Sequence, residues 1–442
     1  MAFNSRDLEG VQNSSELVSL LRALIDDGTL NDGERIPPIR EIARATTLAP
    51  GTVAKSISQL TKDGLLITEG RGGTKVRSRT SLTSPRPRLF SMIPKMVAPG
   101  VIDLSNGFPD SRLFIPIAAL LDLDLSHFEI NNYLTPPVLA DLKEVIEERF
   151  EIGEKAITIT NGSLEAIDRI VGTSVRSGGR VAIEDPTFPP LIDILDRHKI
   201  KVYPLEMDVE GVVVSSLLRA IQGGIDAVIF QLRCHNPTGV TTSTERLAEI
   251  AEVLAQRGVL VIEDDHSGLT RTTDDRTLSN LEAVTSVRVV GFSKLYGPDL
   301  RIAAVIGPSE LVDRINEDRR LGPSWTSHLI QRLLARLMEH DHLTMHNEEV
   351  AKIYRMRMHK LVGALSAPNQ IASWDGLNTW IPTTSESALV ADLARVGIAA
   401  APGSIFQASP SARCEYIRLT TASLDAIPEA LLEIVDKWLP DH

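Results

Sequence analysis

At 442 residues, 43% hydrophobic and 24% charged, the chain has room for two or three domains with ample core, and its composition is that of an ordinary soluble protein. A net charge of −12 excludes a chain that is basic throughout, yet leaves room for a small basic-faced DNA-binding module on an acidic body. Two cysteines, Cys234 and Cys414, are too few for a disulfide framework, and no run approaches the ~18 apolar residues of a membrane helix.

Leu17, Leu20, Leu21, Leu24 and Ile25 recur at helical spacing and predict a first helix, capped by Ser14 or Ser15 and ended by Gly28. A turn at Asp32 and Gly33 leads into a short second helix, Ile39 to Thr46. A third begins at Pro50 or Gly51, with Val53, Ile57 and Leu60 inward and Thr52, Lys55, Ser56 and Gln59 outward. Two short strands then flank a glycine-rich tip carrying Arg71 and Gly72. Three helices and a hairpin in this order make a winged helix-turn-helix, which sets one helix in a major groove and the hairpin tip on a backbone or minor groove. A small helical interaction domain would show the same elements.

The marks Gly33-x-Arg35-Ile36-Pro37-x-x-Arg40, Thr52-Val53, Leu60-x-x-Asp63-Gly64-Leu65 and Gly70-x-Gly72-x-Thr74-x-Val76 resemble the GntR family of bacterial regulators. That resemblance implies a double-stranded DNA partner met by Arg35, Arg40, Thr52, Lys55, Arg71 and Gly72. One departure is Pro50, which stands where the family usually has a basic residue.

Residues 77–98 hold Arg77, Arg79, Arg86, Arg88 and Lys95 among Ser, Thr and Pro, with no acidic residue. They read as an extended basic tether.

From about residue 100, strand-like runs alternate with helical patterns, at Ala156–Thr160, Val181–Glu184, Ala227–Gln231, Val259–Glu263, Val287–Gly291 and Ala303–Ile306. This is the pattern of a doubly wound, mainly parallel α/β domain, whose ligands sit at the carboxyl ends of the strands.

Six stretches lie at such ends or near the C-terminus. Thr160-Asn161-Gly162-Ser163 opens a helix whose N–H groups and hydroxyl suit a phosphate. Phe188, after Glu184-Asp185-Pro186, can stack on a flat heteroaromatic ring or simply join the core. His235-Asn236-Pro237 supplies an amide at a fixed turn. Asp264 ends a buried strand and needs a cationic partner there; a protonated pyridine nitrogen is one. Lys294 stands in a tight Ser/Gly/Pro turn beside Phe292 and Leu295, with Arg301 seven residues on. Burial lowers a lysine pKa, and a neutral amine forms a Schiff base with an aldehyde, while an arginine fork suits a phosphate. Arg418, in the short strand Tyr416–Thr420, offers the bidentate donor that a carboxylate needs.

The order and spacing of these stretches resemble the fold-type I pyridoxal-phosphate aminotransferases across about residues 100–440. By that resemblance Lys294 carries the Schiff base to pyridoxal 5'-phosphate, Asp264 pairs with its pyridine nitrogen, and Asn236 and His266 support the ring hydroxyl. Phe188 stacks on the ring, and Gly162, Ser163, Ser293 and Arg301 hold the phosphate. Tyr133 reaches the phosphate of a neighbouring subunit, Arg418 takes an effector carboxylate, and Gly107 lines the effector side. Three departures stand out. His266 replaces a usual tyrosine, Gly291 a serine or threonine, and Val138 a glycine.

The whole chain resembles the MocR/GabR subfamily of regulators. The fold expected is α/β and multidomain: a winged helix-turn-helix at 1–78, a basic linker at 79–98, and a fold-type I aminotransferase-like domain with a mainly parallel sheet at 99–442. The function expected is that of a PLP-dependent transcriptional regulator, with an amino acid, an amine or PLP itself as effector. It is expected as a cytoplasmic homodimer, with no metal and no membrane, since no charged-then-apolar signal segment opens the chain. The alternative is an active PLP-dependent aminotransferase with an accessory DNA-binding domain. A third reading is a DNA-binding protein whose second domain has lost PLP and only dimerises. The departures bear on turnover more than on cofactor binding.

Overall fold

A computed structural model of the chain describes residues 8, 11–26, 29–31, 33–46, 48–68, 73–76, 88, 100–114, 133–255, 257–267, 277–339, 341–371, 376–409 and 414–440. The chain divides into two compact units, Met1–Arg86 and Pro87–His442.

In the first unit, α1 (Ser14–Asp26), α2 (Ile39–Thr46) and α3 (Pro50–Lys62) precede β1 (Leu66–Thr68) and β2 (Thr74–Val76). Leu17, Leu21, Ile25, Ile42, Val53 and Leu60 close one core between the helices, and Leu66 and Val76 bring the hairpin onto it. The cap of α1 falls one residue before the expected serines. Asn13 Oδ1 accepts from the Glu16 backbone N–H at 3.0 Å, and Glu16 Oε2 accepts from the Gln12 N–H at 2.8 Å. Ser56, expected on the outer face of α3, is buried. Its hydroxyl meets Ser14 Oγ at 2.8 Å and ties α3 to α1. A serine is small enough to sit at a close helix crossing, so its polarity misstates its side. The hairpin is antiparallel, Leu66 opposite Val76, with Pro50 in the first turn of α3, where a proline costs no hydrogen bond. Gly28, Arg71 and Gly72 lie outside the described residues.

In the second unit, β3 (Ile102–Asp103) precedes eight strands of one sheet: β4 (Ala156–Thr160), β5 (Arg180–Asp185), β6 (Lys201–Asp208), β7 (Gly211–Val212), β8 (Ala227–Phe230), β9 (Leu260–Asp265), β10 (Ser286–Gly291) and β11 (Ala303–Gly307). Their order is β4-β11-β10-β9-β8-β5-β6-β7. The middle, β10-β9-β8-β5-β6, is parallel, while β11, β4 and β7 pair antiparallel. Runs such as Ala227–Phe230 and Ala303–Gly307 are buried at every position, because apolar clusters form on both faces of the sheet. A smaller sheet follows, of β12 (Asn378–Pro382), β14 (Ala401–Pro402) and β15 (Tyr416–Thr420), in the order β12-β15-β14; β13 (Ile398–Ala399) pairs parallel with β3.

Arg88, in the stretch expected to be a tether, is docked. Its backbone N–H donates to Asp193 Oδ2 at 2.9 Å and its Nη2 to Asp196 Oδ2 at 2.6 Å. The other residues of 79–98 lie outside the described residues. Among the described residues no helix is long and apolar enough to cross a membrane, and no cluster of His, Cys, Asp and Glu has the grouping of a metal site.

Candidate functional site

The parallel strands β5, β8, β9 and β10 share one polarity, so their carboxyl ends converge. The strongest sequence candidates stand there. β10 runs straight into the short helix Ser293–Tyr296, and buried Phe292 and Leu295 leave Lys294 between them. Lys294 Nζ donates to the Gly107 carbonyl oxygen at 2.7 Å. Burial pushes the amine down to about 8; nearby Arg418 pushes the same way and Asp264 opposes both.

β9 ends in Glu263, Asp264 and Asp265, all buried. Successive residues of a strand face opposite sides. Asp265 takes Arg288 Nη2 at 2.8 Å and also pairs with Arg233, while Glu263 Oε2 accepts from Thr277 at 2.7 Å. Asp264 faces the other way and has no such cation bonded to it among the described residues. Its Oδ2 accepts from the Gln231 amide at 2.6 Å, and its Oδ1 has no partner among the described residues. Burial pushes this carboxyl up to about 7, and the neighbouring Asp265 and Glu184 push it further the same way. His266, just past the strand end, is pushed down to about 4 by burial and then by Lys294, so its imidazole is neutral.

Arg418 comes from β15 and is 1% exposed. Its Nη1 donates to Asn236 Oδ1 at 2.9 Å, its Nη2 to the Ser105 carbonyl, and its guanidinium lies 4.7 Å over the Phe406 ring. Burial pulls it down to about 9, still a cation at neutral pH, and its Nε has no partner among the described residues. Gly107 sits directly over it. A Cβ there would come within 3.1 Å of Nη1, and φ is +72°, so both space and backbone call for glycine.

Gly162, Ser163, Gly291 and Arg301 meet on another side. Gly162, at φ +97°, caps the helix Ser163–Ser174. A Cβ on it would lie 3.6 Å from Arg301 Nη2, and one on Gly291 would strike Ser163 Oγ at 2.7 Å. Helix N–H groups, a hydroxyl and a guanidinium around so close an approach make an anion cup. The glycine at 291 thus belongs to this packing: the Ser163 hydroxyl fills the place of a longer residue there. Phe188 is half-buried and packs against the Trp380–Phe406 cluster, one residue after Thr187, whose N–H donates to the Phe406 carbonyl at 2.8 Å. Ser293 is half-buried beside Lys294.

Asp264 joins Asn236 and Arg418 through the Gln231 amide, and half-buried Lys294 reaches Arg418's neighbour Gly107. Tyr133 stands apart. It is 92% exposed, edge-on to Trp325, and lines a surface cavity of ≈ 650 Å³ with Leu134, Pro136 and Pro137. Sequence reasoning passed over Gln231, Ser105 and Phe406, and over Cys234 and Asn378, which line a narrow crevice beside Lys294 and His266. Gln231 had one signal: it is a polar residue closing an otherwise apolar run.

In the first unit Arg35 and Arg40 are exposed and line a groove of ≈ 680 Å³ with Gly73 and Thr74, where the second hairpin strand begins on the turn side. Lys55 is exposed on α3, and Thr52 is half-buried one turn before it. Arg44, also exposed, was not singled out.

Residues 99–431 match the family described as aminotransferase class I and II. The chain belongs to that family. Residues 13–76 match the bacterial regulatory proteins of the gntR family. A gntR-type helix-turn-helix joined to an aminotransferase class I and II unit is the make-up of MocR/GabR regulators. The chain is 29% identical to the vitamin B6 salvage pathway transcriptional repressor PtsJ of Salmonella typhimurium, over 94% of this chain and 95% of that one. It is 24% identical to the HTH-type transcriptional regulator YdfD of Bacillus subtilis, over 95% of each. Among solved structures, the kynurenine aminotransferase of Pyrococcus horikoshii superposes with a TM-score of 0.67 at 22% identity, over 76% of this chain and 89% of that one; the likeness is one of fold.

Proposed function

We propose that this chain is a DNA-binding transcriptional regulator whose aminotransferase-family unit holds pyridoxal 5'-phosphate on Lys294 and responds to an amino acid or amine. The observation that carries the reading is Asp264: a buried carboxyl with one oxygen held by a neutral amide and the other without a partner among the described residues, at the same strand-end site as Lys294. A protonated pyridine nitrogen answers that oxygen. The anion cup at Gly162, Ser163 and Arg301, with Ser293 beside it, answers a phosphate. The residues therefore fit the group.

When bound, pyridoxal phosphate supplies an aldehyde open to attack by a neutral amine, and a ring that draws electrons toward its protonated nitrogen. Lys294, with its amine pushed down to about 8, would supply far more of the neutral nucleophile near neutral pH than an ordinary lysine. Asp264, through its open Oδ1, would take the protonated ring nitrogen. Asn236 and His266 would hold the ring hydroxyl, and Phe188 would face the ring. Arg418 and Gly107 form the side that takes an effector carboxylate, with the buried guanidinium as its counter-charge. Tyr133, exposed on its own subunit, serves the phosphate of a second copy in a homodimer. Arg35, Arg40, Thr52 and Lys55, with Arg71 and Gly72 at the wing tip, meet double-stranded DNA. The protein works in the cytoplasm, with a winged helix at 1–78, a linker at 79–98 and the effector domain at 99–442.

A second reading makes PLP itself the signal, and the likeness to a repressor of vitamin B6 salvage favours it. One experiment serves both readings. The full-length protein is reduced with borohydride in the presence of PLP, and its binding to an operator selected from random DNA is measured with and without PLP and a panel of amino acids. A pyridoxyl adduct on Lys294, with operator affinity that changes on ligand addition, supports the proposal. Steady release of keto acid from an amino acid favours the alternative, an aminotransferase. No adduct defeats the cofactor reading.

A further inference from the structure

We propose that Gln231 is a positioning residue, which fixes Asp264 for the pyridine nitrogen and ties it to the carboxylate-binding end of the site. The proposal rests on pyridoxal phosphate occupying the site.

Gln231 follows β8 and is 1% exposed. Its backbone N–H donates to Glu184 Oε2 at 2.9 Å. Its side-chain oxygen accepts from the Asn236 backbone N–H at 3.0 Å, and its side-chain nitrogen donates to Asp264 Oδ2 at 2.6 Å. The first two bonds fix the third. With the amide oxygen committed to a backbone N–H, the amide nitrogen must face the carboxylate. Asp264 is then held by one oxygen, and the other is left as the open acceptor. Asn236 continues the chain: its own side-chain oxygen accepts from Arg418 at 2.9 Å. A line of hydrogen bonds therefore runs from the acid that meets the ring nitrogen to the arginine that meets the effector.

The choice of an amide matters. Asp265, one residue on, is neutralised by Arg233 and Arg288. An arginine in place of Gln231 would neutralise Asp264 in the same way and remove its pull on a protonated ring nitrogen. A carboxamide orients the carboxylate and adds no charge, so Oδ1 is left open for the protonated ring nitrogen. The carboxamide bonds the acid Asp264, while Glu184 lies against the Gln231 backbone N–H. His235, 3.4 Å from Glu184, stands beyond them, with Asp265 and Lys294 near Asp264.

The test uses the full-length protein and PLP. Wild type, Gln231→Leu and Gln231→Glu are titrated with PLP between pH 6 and 9, and Lys294 adducts are counted after borohydride reduction. Gln231→Leu removes the donor. It is expected to weaken PLP binding about ten- to a hundredfold, the range for a lost hydrogen bond to a charged group. Gln231→Glu keeps the volume and the acceptor toward Asn236, but its side chain ionises. Its affinity is expected to fall more steeply with rising pH than that of wild type, because a second carboxylate then ionises beside Asp264. Wild-type affinity and an unchanged pH profile in both variants would overturn the proposal. A wild type that forms no Lys294 adduct would instead remove the cofactor reading beneath it.

Discussion

The Lys294 amine donates to the carbonyl oxygen of Gly107 at 2.7 Å, and the α-carbon of the same glycine faces the Arg418 guanidinium. One residue thus separates the Lys294 amine from the Arg418 guanidinium. Gly107→Ala puts a Cβ 3.1–3.3 Å from three guanidinium atoms at a backbone φ of +72°. The expected loss of stability is about 1 kcal/mol or more, from backbone strain alone. Effector binding should weaken while Lys294 still forms its adduct. Calorimetry with the effector, beside borohydride trapping, checks both.

Lys294→Ala removes the nucleophile and should abolish the pyridoxyl adduct without unfolding the protein. In wild type the rate of adduct formation should rise with pH, with a midpoint near the depressed value of about 8 rather than the ordinary 10.5. The sign follows from burial, which favours the neutral, reactive amine. Stopped-flow absorbance across pH 6 to 10 measures it; a midpoint above 10 would contradict the buried setting.

Asp264 predicts a stability slope. Its folded value, about 7, lies above the ordinary 3.8. Between those values the folded state keeps a proton that the unfolded state has lost. The contribution is therefore fully present below about pH 4 and is lost as pH rises through 7. Asp264→Asn cannot ionise, so its unliganded melting temperature should fall less between pH 5 and 8 than that of wild type. The same variant should bind PLP at least about tenfold more weakly, since the ring nitrogen loses its counter-charge. Loss of stability at every pH without loss of affinity would make Asp264 a structural residue.

On the DNA side, Arg40→Ala and Lys55→Ala should each weaken operator binding and lower the salt slope by about one. Ser56→Ala should leave that slope unchanged. Its hydroxyl meets Ser14 inside the core, so the expected effect is about 1 kcal/mol of stability in the first unit. Fluorescence anisotropy at several salt concentrations separates the two classes.

Much of this was legible because strand ends announce themselves. Apolar runs closing in Asp264, Gly291 or Thr160 mark where a buried strand meets polar chemistry, and Lys294 and Gly162 follow within a few residues. Bonds between distant segments were not legible. Gln231 and Asp264 are 33 residues apart, and only the pairing of β8 with β9 brings them together. Ser56 misled because amphipathic spacing cannot tell a small buried hydroxyl at a helix crossing from an exposed one. The burial of Asp264 at a strand end was legible, but its bonded partner, a neutral amide, was not.

The most direct test of the central claim is the operator affinity of wild type and Lys294→Ala, each with and without saturating PLP and the amino-acid panel. The account predicts a shift of about fivefold or more in wild type, the usual scale of two-site coupling, and none in the variant. Equal shifts in both proteins, or no shift in either, would contradict it.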